Sequence, residues 1–181
     1  MEPIIKFCSC CGAPATVRIP EGDNLPRAVC NACGFIHYQN PKLVVGALPV
    51  WEDRILLCRR AIEPRLGMWT LPAGFMENNE TLADAALRET REEACARIEL
   101  GRLYSLISVP HISQVHAIFE ARLLDLDFAA GIETLETALF APAQIPWDDL
   151  AFRTVAMTLR HFLNDRATGQ FNFLCTALSP P

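Results

Sequence analysis

The sequence lacks a long apolar run and an excess of basic residues. No stretch approaches the roughly 20 apolar residues needed to cross a bilayer. The chain carries 16 Lys and Arg against 21 Asp and Glu, a net charge of -5. This shortage of positive charge argues against a general binder of nucleic acids or membrane surfaces, because such proteins carry a basic face. The start, MEPIIKFCSCCG, lacks the regions of a signal peptide, and we expect a cytoplasmic protein.

The N-terminal part, residues 1–40, has little hydrophobic periodicity and holds five of the eight cysteines. Two Cys-x-x-Cys pairs separated by 18 residues have the spacing of a zinc ribbon. A redox or disulfide pair is the alternative, and Cys10 leaves one register ambiguous. We predict a small ribbon closed by a structural Zn²⁺, because metal binding suits a reducing compartment. The predicted ligands are Cys8, Cys11, Cys30 and Cys33.

Nucleic-acid binding by this ribbon is a further alternative. Its loop carries Arg18 and Arg27, but Glu21 and Asp23 oppose them. The charge balance therefore argues against it.

The remaining residues, 41–181, are long enough for one buried core in a chain with 51% hydrophobic residues. Apolar alternation and turn residues predict strands separated by loops, and a 3.6-residue period predicts two helices. Strands interleaved with helices predict a mixed α/β layered domain. The predicted strands form a hairpin over 43–60 and lie at 102–109, 115–125 and 136–142, and the predicted helices span 79–95 and 148–169.

The helix predicted over 79–95 carries acidic side chains on an unusual face. Advancing about 100° per residue from its first apolar position places Glu93, Glu89 and Glu92 near about 20°, 340° and 280°. The three carboxylates thus share the apolar side, whereas acidic runs usually form a solvated face. Close, partly buried carboxylates repel one another unless a cation offsets them. An oxygen-only cluster suits Mg²⁺ or Mn²⁺.

The stretch GFMENNETLADAALRETREEACA, residues 74–96, resembles the signature of the Nudix hydrolase family. In that signature Gly is followed by Glu, Arg-Glu and Glu-Glu at fixed spacing. Three positions depart: Thr90 and Ala96 replace bulky aliphatic residues, and Cys95 replaces Gly. We expect the helix to run on slightly or to end differently at Cys95, since a non-Gly residue in a left-handed cap costs about 1 kcal/mol. The matching residues are Gly74, Glu80, Arg88, Glu89, Glu92 and Glu93.

The resemblance implies an α+β fold, the Nudix α/β/α sandwich with a mixed β-sheet, preceded here by the ribbon. It also implies Mg²⁺- or Mn²⁺-dependent hydrolysis of a nucleoside diphosphate linked to another moiety. In the Nudix family the metal ligands would be Glu89, Glu92 and Glu93 with the Gly74 carbonyl, and Arg88 and Glu80 would position them.

Ribbon-bearing Nudix enzymes include NADH pyrophosphatases and a group of FAD and ADP-ribose pyrophosphatases. The chain lacks the Ser-Gln-Pro-Trp-Pro-Phe-Pro type of motif that is typical of the NADH branch, and it more closely resembles the FAD/ADP-ribose group. The expected partner is a dinucleotide, the expected product is AMP, and the expected assembly is a homodimer. The alternatives are an NADH pyrophosphatase and a non-catalytic, nucleotide-binding sensor.

Nudix enzymes often use a further acidic residue outside the signature. Glu133 and Glu136 are the candidates here, and Glu136 is favoured because it opens a predicted strand. An ordinary edge-strand carboxylate is the alternative.

Substrate contacts are expected in the loop before the signature. Arg59, Arg60 and Arg65 are placed to meet phosphates, since Arg binds them in bidentate fashion. Trp69 is placed to stack on a base. The alternative for each of the arginines is a solvated surface residue, and the alternative for Trp69 is a core residue. His111 and His116 bracket a turn, and each is either a site residue or an ordinary residue of that turn.

Overall fold

The computed structural model describes residues 5–180. The chain divides into two compact units between Pro41 and Lys42. The first unit is a three-stranded antiparallel sheet in the order β1-β2-β3. Its strands are β1 (Ala15–Arg18), β2 (Arg27–Cys30) and β3 (Ile36–His37).

The second unit is built on a mixed sheet whose main path runs β10-β5-β4-β9-β8-β11. Two short strands, β6 and β7, lie off this path and pair with β5 and β4. The strands are β4 (Lys42–Trp51), β5 (Arg54–Arg60), β6 (Trp69–Thr70), β7 (Ala73–Phe75), β8 (Ile98–Val109), β9 (Gln114–Leu123), β10 (Thr134–Phe140) and β11 (Leu174–Ala177). The helices are α1 (Leu82–Ala94) and α2 (Arg153–Thr168), and short 3-10 turns lie at Pro110–Ile112, Pro142–Gln144 and Trp147–Asp149.

One helix packs on each face of this sheet. Alternate side chains of a strand point to opposite faces, so Ala47 and Leu56 pack with Ala94 of α1. Their neighbours Leu48 and Ile55 pack with Leu159 of α2 on the other side. This layering confirms the predicted α/β/α sandwich.

The hairpin predicted over 43–60 is present, with Val50 opposite Ile55. The segment 61–75, predicted as a loop, contains β6 and β7, whose few residues gain stability only by pairing with longer strands. Strand β11 was missed by the sequence because it is short and pairs in parallel with the distant β8, for example through Leu174 and Ser105. Pairing between distant segments leaves no local pattern.

Helix α1 ends at Ala94, and Cys95 adopts the left-handed conformation with φ 48° and ψ 21°. The expectation that the helix would run on is therefore wrong. The backbone N–H of Cys95 donates to Arg91 O, so a cysteine occupies the cap conformation that usually favours glycine.

None of the helices within residues 5–180 is both long and apolar enough to cross a membrane.

Candidate active site

Helix α1 is fixed at its start by a reciprocal cap. The Thr81 side chain accepts a hydrogen bond from Asp84 N–H, and the Asp84 carboxylate accepts from Thr81 N–H. This capping box satisfies N–H groups that the first helical turn leaves free. The helix then packs Ala85 and Ala86 beside Val45 of β4, which turns its acidic residues toward the loop that ends in β7.

Two of the three predicted ligand carboxylates are buried. Glu89 is 8% exposed and Glu93 is 7% exposed, in agreement with a position on the apolar face. Glu92 differs, because its side chain is 58% exposed. Its position at the margin of the apolar stripe explains this, and Glu92 faces open space beside the buried pair.

Arg88 connects the acidic residues of this helix to one another. Its guanidinium forms ion pairs with Glu80 at 2.7 Å, Glu89 at 2.6 Å and Glu92 at 3.2 Å. It also donates to Phe75 O at 3.1 Å. The hydrogen bonds from Arg88 lower the pKa of Glu80 to about 2, so Glu80 is an anion that holds Arg88 in place.

Burial raises the pKa of Glu93 to about 7. The Ala73 N–H, which donates to Glu93 Oε2 at 3.0 Å, opposes this shift. Burial also raises the pKa of Glu89, against the effect of Arg88. Each buried carboxylate therefore has a hydrogen-bond partner that does not remove the cost of burying its charge.

Gly74 lies directly against the Glu89 carboxylate. A β-carbon at position 74 would stand 2.4 Å from Glu89 Oε2, closer than any non-bonded contact allows. A residue with a β-carbon at this position would displace the Glu89 carboxylate, which Arg88 holds. The position of the glycine in the signature thus has a steric reason in this chain.

The departure at Thr90 has little effect on packing. Thr90 is fully buried, and its hydroxyl donates to Ala86 O at 2.8 Å. The bond satisfies the polar group inside the core.

The two acidic residues outside the signature occupy different surroundings. Glu136 lies opposite Arg59 in the sheet, and their side chains approach to 3.6 Å. The charge of Glu133, by contrast, raises the pKa of both Glu89 and Glu93. This electrostatic effect makes Glu133 a candidate beside Glu136. A register shift lies between Thr134 and Glu136, so a strict alternation of side chains along the strand does not predict their surroundings.

The residues predicted to contact substrate are dispersed. Arg59 donates from Nε to Gly67 O at 2.9 Å and faces Glu136. Trp69 packs against the core, with its ring 4.8 Å from that of Phe140 in an edge-to-face contact. Arg65 lies at the surface and lines a separate cavity.

Arg60 is a buried cation that acts electrostatically on Glu93. It is 9% exposed, its Nε donates to Pro64 O at 2.8 Å, and its charge lowers the pKa of Glu93. Within residues 5–180 no carboxylate oxygen lies within 4.0 Å of its guanidinium. A buried arginine without a carboxylate partner is suited to bind an anionic ligand. Its neighbour Arg59 looks equivalent in sequence, and only burial separates the two.

The donor set of α1 fits a hard divalent cation by its chemistry. It supplies only carboxylate oxygens, and two of the carboxylates are buried beside each other with raised pKa values. The oxygens of Glu89, Glu92 and Glu93 do not converge to within 4.8 Å, since Arg88 and the Ala73 N–H hold them separately.

The four predicted zinc ligands form a tight cluster. Their sulfur atoms all lie within 4.8 Å of one another, and no other group of His, Cys, Asp or Glu in residues 5–180 does so. Sulfur pairs are 3.4 Å apart for Cys11 and Cys30 and 3.7 Å apart for Cys8 and Cys33. A tetrahedral Zn²⁺ with bonds of about 2.3 Å needs sulfurs about 3.8 Å apart.

Backbone groups favour the thiolate form in this cluster. The N–H groups of Cys33 and Ala32 point to the Cys30 sulfur at 3.4 Å, and the Cys33 N–H is the main cause that lowers the pKa of Cys30 to about 6. Thiolate is the form that binds metal. The residues present therefore fit a structural Zn²⁺.

A two-helix sandwich with an acidic helix under a glycine-containing strand, together with a four-cysteine ribbon, defines a class of metal-dependent hydrolases. The NUDIX domain model matches residues 40–158, and the Nudix N-terminal zinc-ribbon model matches residues 6–39. The chain belongs to the Nudix hydrolase family, as its sequence predicted.

Among solved structures, a Nudix hydrolase from Nitrosomonas europaea is 55% identical, covers 97% of this chain and 100% of its own, and has a TM-score of 0.94. An NAD-capped RNA hydrolase of Photobacterium profundum is 30% identical over 76% of this chain and 50% of its own length. An ADP-ribose pyrophosphatase of Methanocaldococcus jannaschii is 29% identical over 60% of this chain and 67% of its own length. The chain thus spans about half the length of the first of these two curated relatives.

Proposed function

We propose that this Nudix pyrophosphatase hydrolyses the pyrophosphate bond of a nucleoside diphosphate derivative, FAD or ADP-ribose, and releases AMP. The observation that carries the proposal is the buried pair of Glu89 and Glu93 against the Gly74 strand. Burying two neighbouring carboxylates costs free energy that a bound cation would offset. ADP-ribose is favoured over FAD by the name of the archaeal relative.

Glu89, Glu92 and Glu93, with Gly74, are the residues that would hold Mg²⁺ or Mn²⁺. When bound, the metal supplies charge neutralisation at the pyrophosphate and an activated water. Arg88 keeps Glu89 and Glu92 oriented through the ion pairs described above.

The backbone holds the last of these carboxylates, since the Ala73 N–H donates to Glu93. Arg60 contributes a buried positive charge for the phosphate oxygens. We propose Glu133, whose charge acts on both buried carboxylates, as the acidic residue that acts from outside the helix, with Glu136 as the alternative.

The test is a substrate panel analysed by HPLC. FAD, ADP-ribose and NADH are incubated with protein and Mg²⁺, and AMP release gives kcat/KM for each. Glu93→Gln should lower the turnover by at least about 10²-fold while the fold is kept. The matched control is Glu99→Gln, an exposed carboxylate on β8 paired with Arg122, which should be neutral. Full turnover by Glu93→Gln would remove the metal assignment.

A second candidate is a dinucleotide that carries nicotinamide. The name of the Photobacterium relative, an NAD-capped RNA hydrolase, favours it, whereas the missing proline-rich motif disfavours it. In the panel, NADH cleaved faster than ADP-ribose would support this candidate. Binding of a dinucleotide without any AMP release would instead support the non-catalytic sensor.

We further propose the domain bounds, the cellular location and the assembly of the protein. Residues 1–40 form the zinc ribbon and residues 41–181 the Nudix domain. The protein is cytoplasmic, where thiols stay reduced and a four-thiolate zinc site persists. It assembles as a homodimer, and light scattering after size-exclusion chromatography measures that mass directly.

A further inference from the structure

A cavity of about 300 Å³ lies on the α2 face of the hydrolase domain. Its lining includes Arg65, His111, His116, Phe152 and Arg153. Within residues 5–180 this lining contains two arginines and no Asp or Glu, although the chain as a whole has a net charge of -5. A concave surface with charge of one sign concentrates ligands of the opposite sign.

Neither arginine is neutralised by the protein. Within residues 5–180 no carboxylate oxygen lies within 4.0 Å of Arg65 or Arg153. Arg153 donates from Nη1 to Ser179 O at 2.9 Å. A backbone carbonyl carries no formal charge, so this bond does not neutralise the charge of Arg153. Arg153 is also the first residue of α2, where the positive end of the helix dipole adds to the same potential.

His116 forms a rigid, uncharged wall of the cavity. Its Nδ1 lies 3.0 Å from Thr154 Oγ1, and its Nε2 lies 3.0 Å from Gln114 Oε1. Burial lowers the pKa of His116, so the imidazole is neutral near pH 7. The positive charge of the cavity therefore comes from the two arginines and not from His116.

The cavity lies beside Arg60, the buried arginine proposed to contact phosphate oxygens. Phe152 lines it, and the guanidinium of Arg60 lies 5.1 Å from the centre of the Phe152 ring. The same Arg60 acts electrostatically on Glu93. A ligand with one phosphate near Arg60 therefore has this cavity as its neighbour.

We propose that the cavity binds a phosphate group that the substrate carries in addition to its scissile pyrophosphate. The ligand class is a nucleotide with a phosphate ester on its ribose. Arginine pairs bind phosphate oxygens through several N–H donors at once, and the volume suits a ribose phosphate better than a whole dinucleotide.

The inference rests on the proposed function, because it assigns the extra phosphate to the substrate of that site. A binding experiment separates the two. Calorimetry compares 5′-AMP with adenosine 2′,5′-bisphosphate and adenosine 3′,5′-bisphosphate, none of which contains a pyrophosphate. At least one bisphosphate should bind about tenfold more tightly than AMP.

The Arg65→Ala, Arg153→Ala double variant should reduce this preference to less than about twofold, and Arg122→Ala, an exposed arginine on β9, should keep it. Ile112→Glu, which adds a carboxylate to the lining without removing either arginine, should also abolish it. Melting temperatures close to wild type show that each variant is folded.

The activity arm uses two substrate pairs, NADPH with NADH and coenzyme A with dephospho-coenzyme A. The phosphorylated member of at least one pair should have a KM about tenfold lower at similar kcat. Equal binding of AMP and both bisphosphates by the wild type would overturn the inference, as would a preference that survives in the double variant. Absence of hydrolysis with a retained bisphosphate preference would overturn the proposed function and leave the phosphate site standing.

Discussion

Gly131 lies so close to the last turn of α1 that a β-carbon on it would stand 1.7 Å from Glu92 O. Its N–H donates to Glu93 O at 3.0 Å, and the N–H of Ala129 donates to Ala94 O at 2.9 Å. The segment before β10 therefore packs against the last turn of α1, which carries the residues proposed to hold the metal. It also carries Glu133, two residues further on.

Gly131→Ala should therefore act on catalysis as well as packing. The new methyl group cannot fit against backbone, so either the turn with Glu92 and Glu93 or the segment with Glu133 must move. A displacement of about 1 Å in such a site costs on the order of 10²-fold in rate, and kcat/KM for the best substrate measures it.

The matched control for this variant is Gly101→Ala, whose β-carbon would stand 3.1 Å from Glu120 O on β9. It should stay within about twofold of wild type, because a small shift relieves the contact. Wild-type kcat/KM for a folded Gly131→Ala protein would show that the segment has no positioning role.

Metal affinity should depend on pH through Glu93. Its pKa, raised by burial to about 7, means that a proton competes with the metal below neutrality. Mn²⁺ affinity should therefore fall between about pH 8 and about pH 6, by up to about tenfold per pH unit. Calorimetric titration with Mn²⁺ measures it, and Glu93→Gln should bind Mn²⁺ weakly and without this dependence.

The same shift has the opposite sign for the stability of the metal-free protein. Because the folded pKa of Glu93 lies above the unfolded value near 4.5, its contribution is fully present below about pH 4.5 and is lost as pH rises through about 7. Glu93→Gln should remove this loss in urea unfolding.

For the metal-affinity prediction, a wild-type Mn²⁺ affinity that is constant from about pH 6 to about pH 8 would contradict the proposal that Glu93 binds the metal.

Zinc removal should unfold the first unit. Its short strands bury little apolar surface, and the sulfurs of Cys8, Cys11, Cys30 and Cys33 form the one tight ligand cluster in residues 5–180. A chelator should release about one Zn²⁺ per chain, measured with a colorimetric indicator, and residues of β1 to β3 should become sensitive to protease.

Two cysteine variants make the zinc experiment specific. Cys30→Ser should lose the metal, whereas Cys10→Ser should retain it, because Cys10 is exposed and outside the cluster. Zinc lost from Cys10→Ser as well would point to the other register of the first pair, and zinc retained by Cys30→Ser would contradict the four-thiolate site.

The sequence predicted those parts of the molecule that depend on local pattern. The β4–β5 hairpin and the burial of Glu89 and Glu93 both follow from the spacing of residues along the chain. The missed features depend on contacts between distant segments.

Two such features concern single residues. A register shift lies between Thr134 and Glu136, and burial distinguishes Arg60 from Arg59. Neither the shift nor the burial of one arginine in a consecutive pair leaves a signal in residue type or period.

Cys95→Gly should stabilise the hydrolase domain. Cys95 holds φ 48° and ψ 21° at the end of α1, a conformation that costs a residue with a β-carbon about 1–2 kcal/mol. Glycine removes this cost but loses more conformational entropy on folding, which leaves a net gain of about 0.5–1 kcal/mol in the free energy of unfolding.

Urea denaturation of metal-free protein measures the gain from Cys95→Gly. Cys175→Gly is the matched control, because Cys175 lies in extended β11 and glycine there should destabilise by about 0.5–1 kcal/mol. Opposite signs for the two variants would show that the left-handed backbone, and not the loss of a thiol, is the cause. If both variants lost stability, the left-handed cap would not be strained at Cys95, and the departure from the glycine of the signature would carry no energetic penalty.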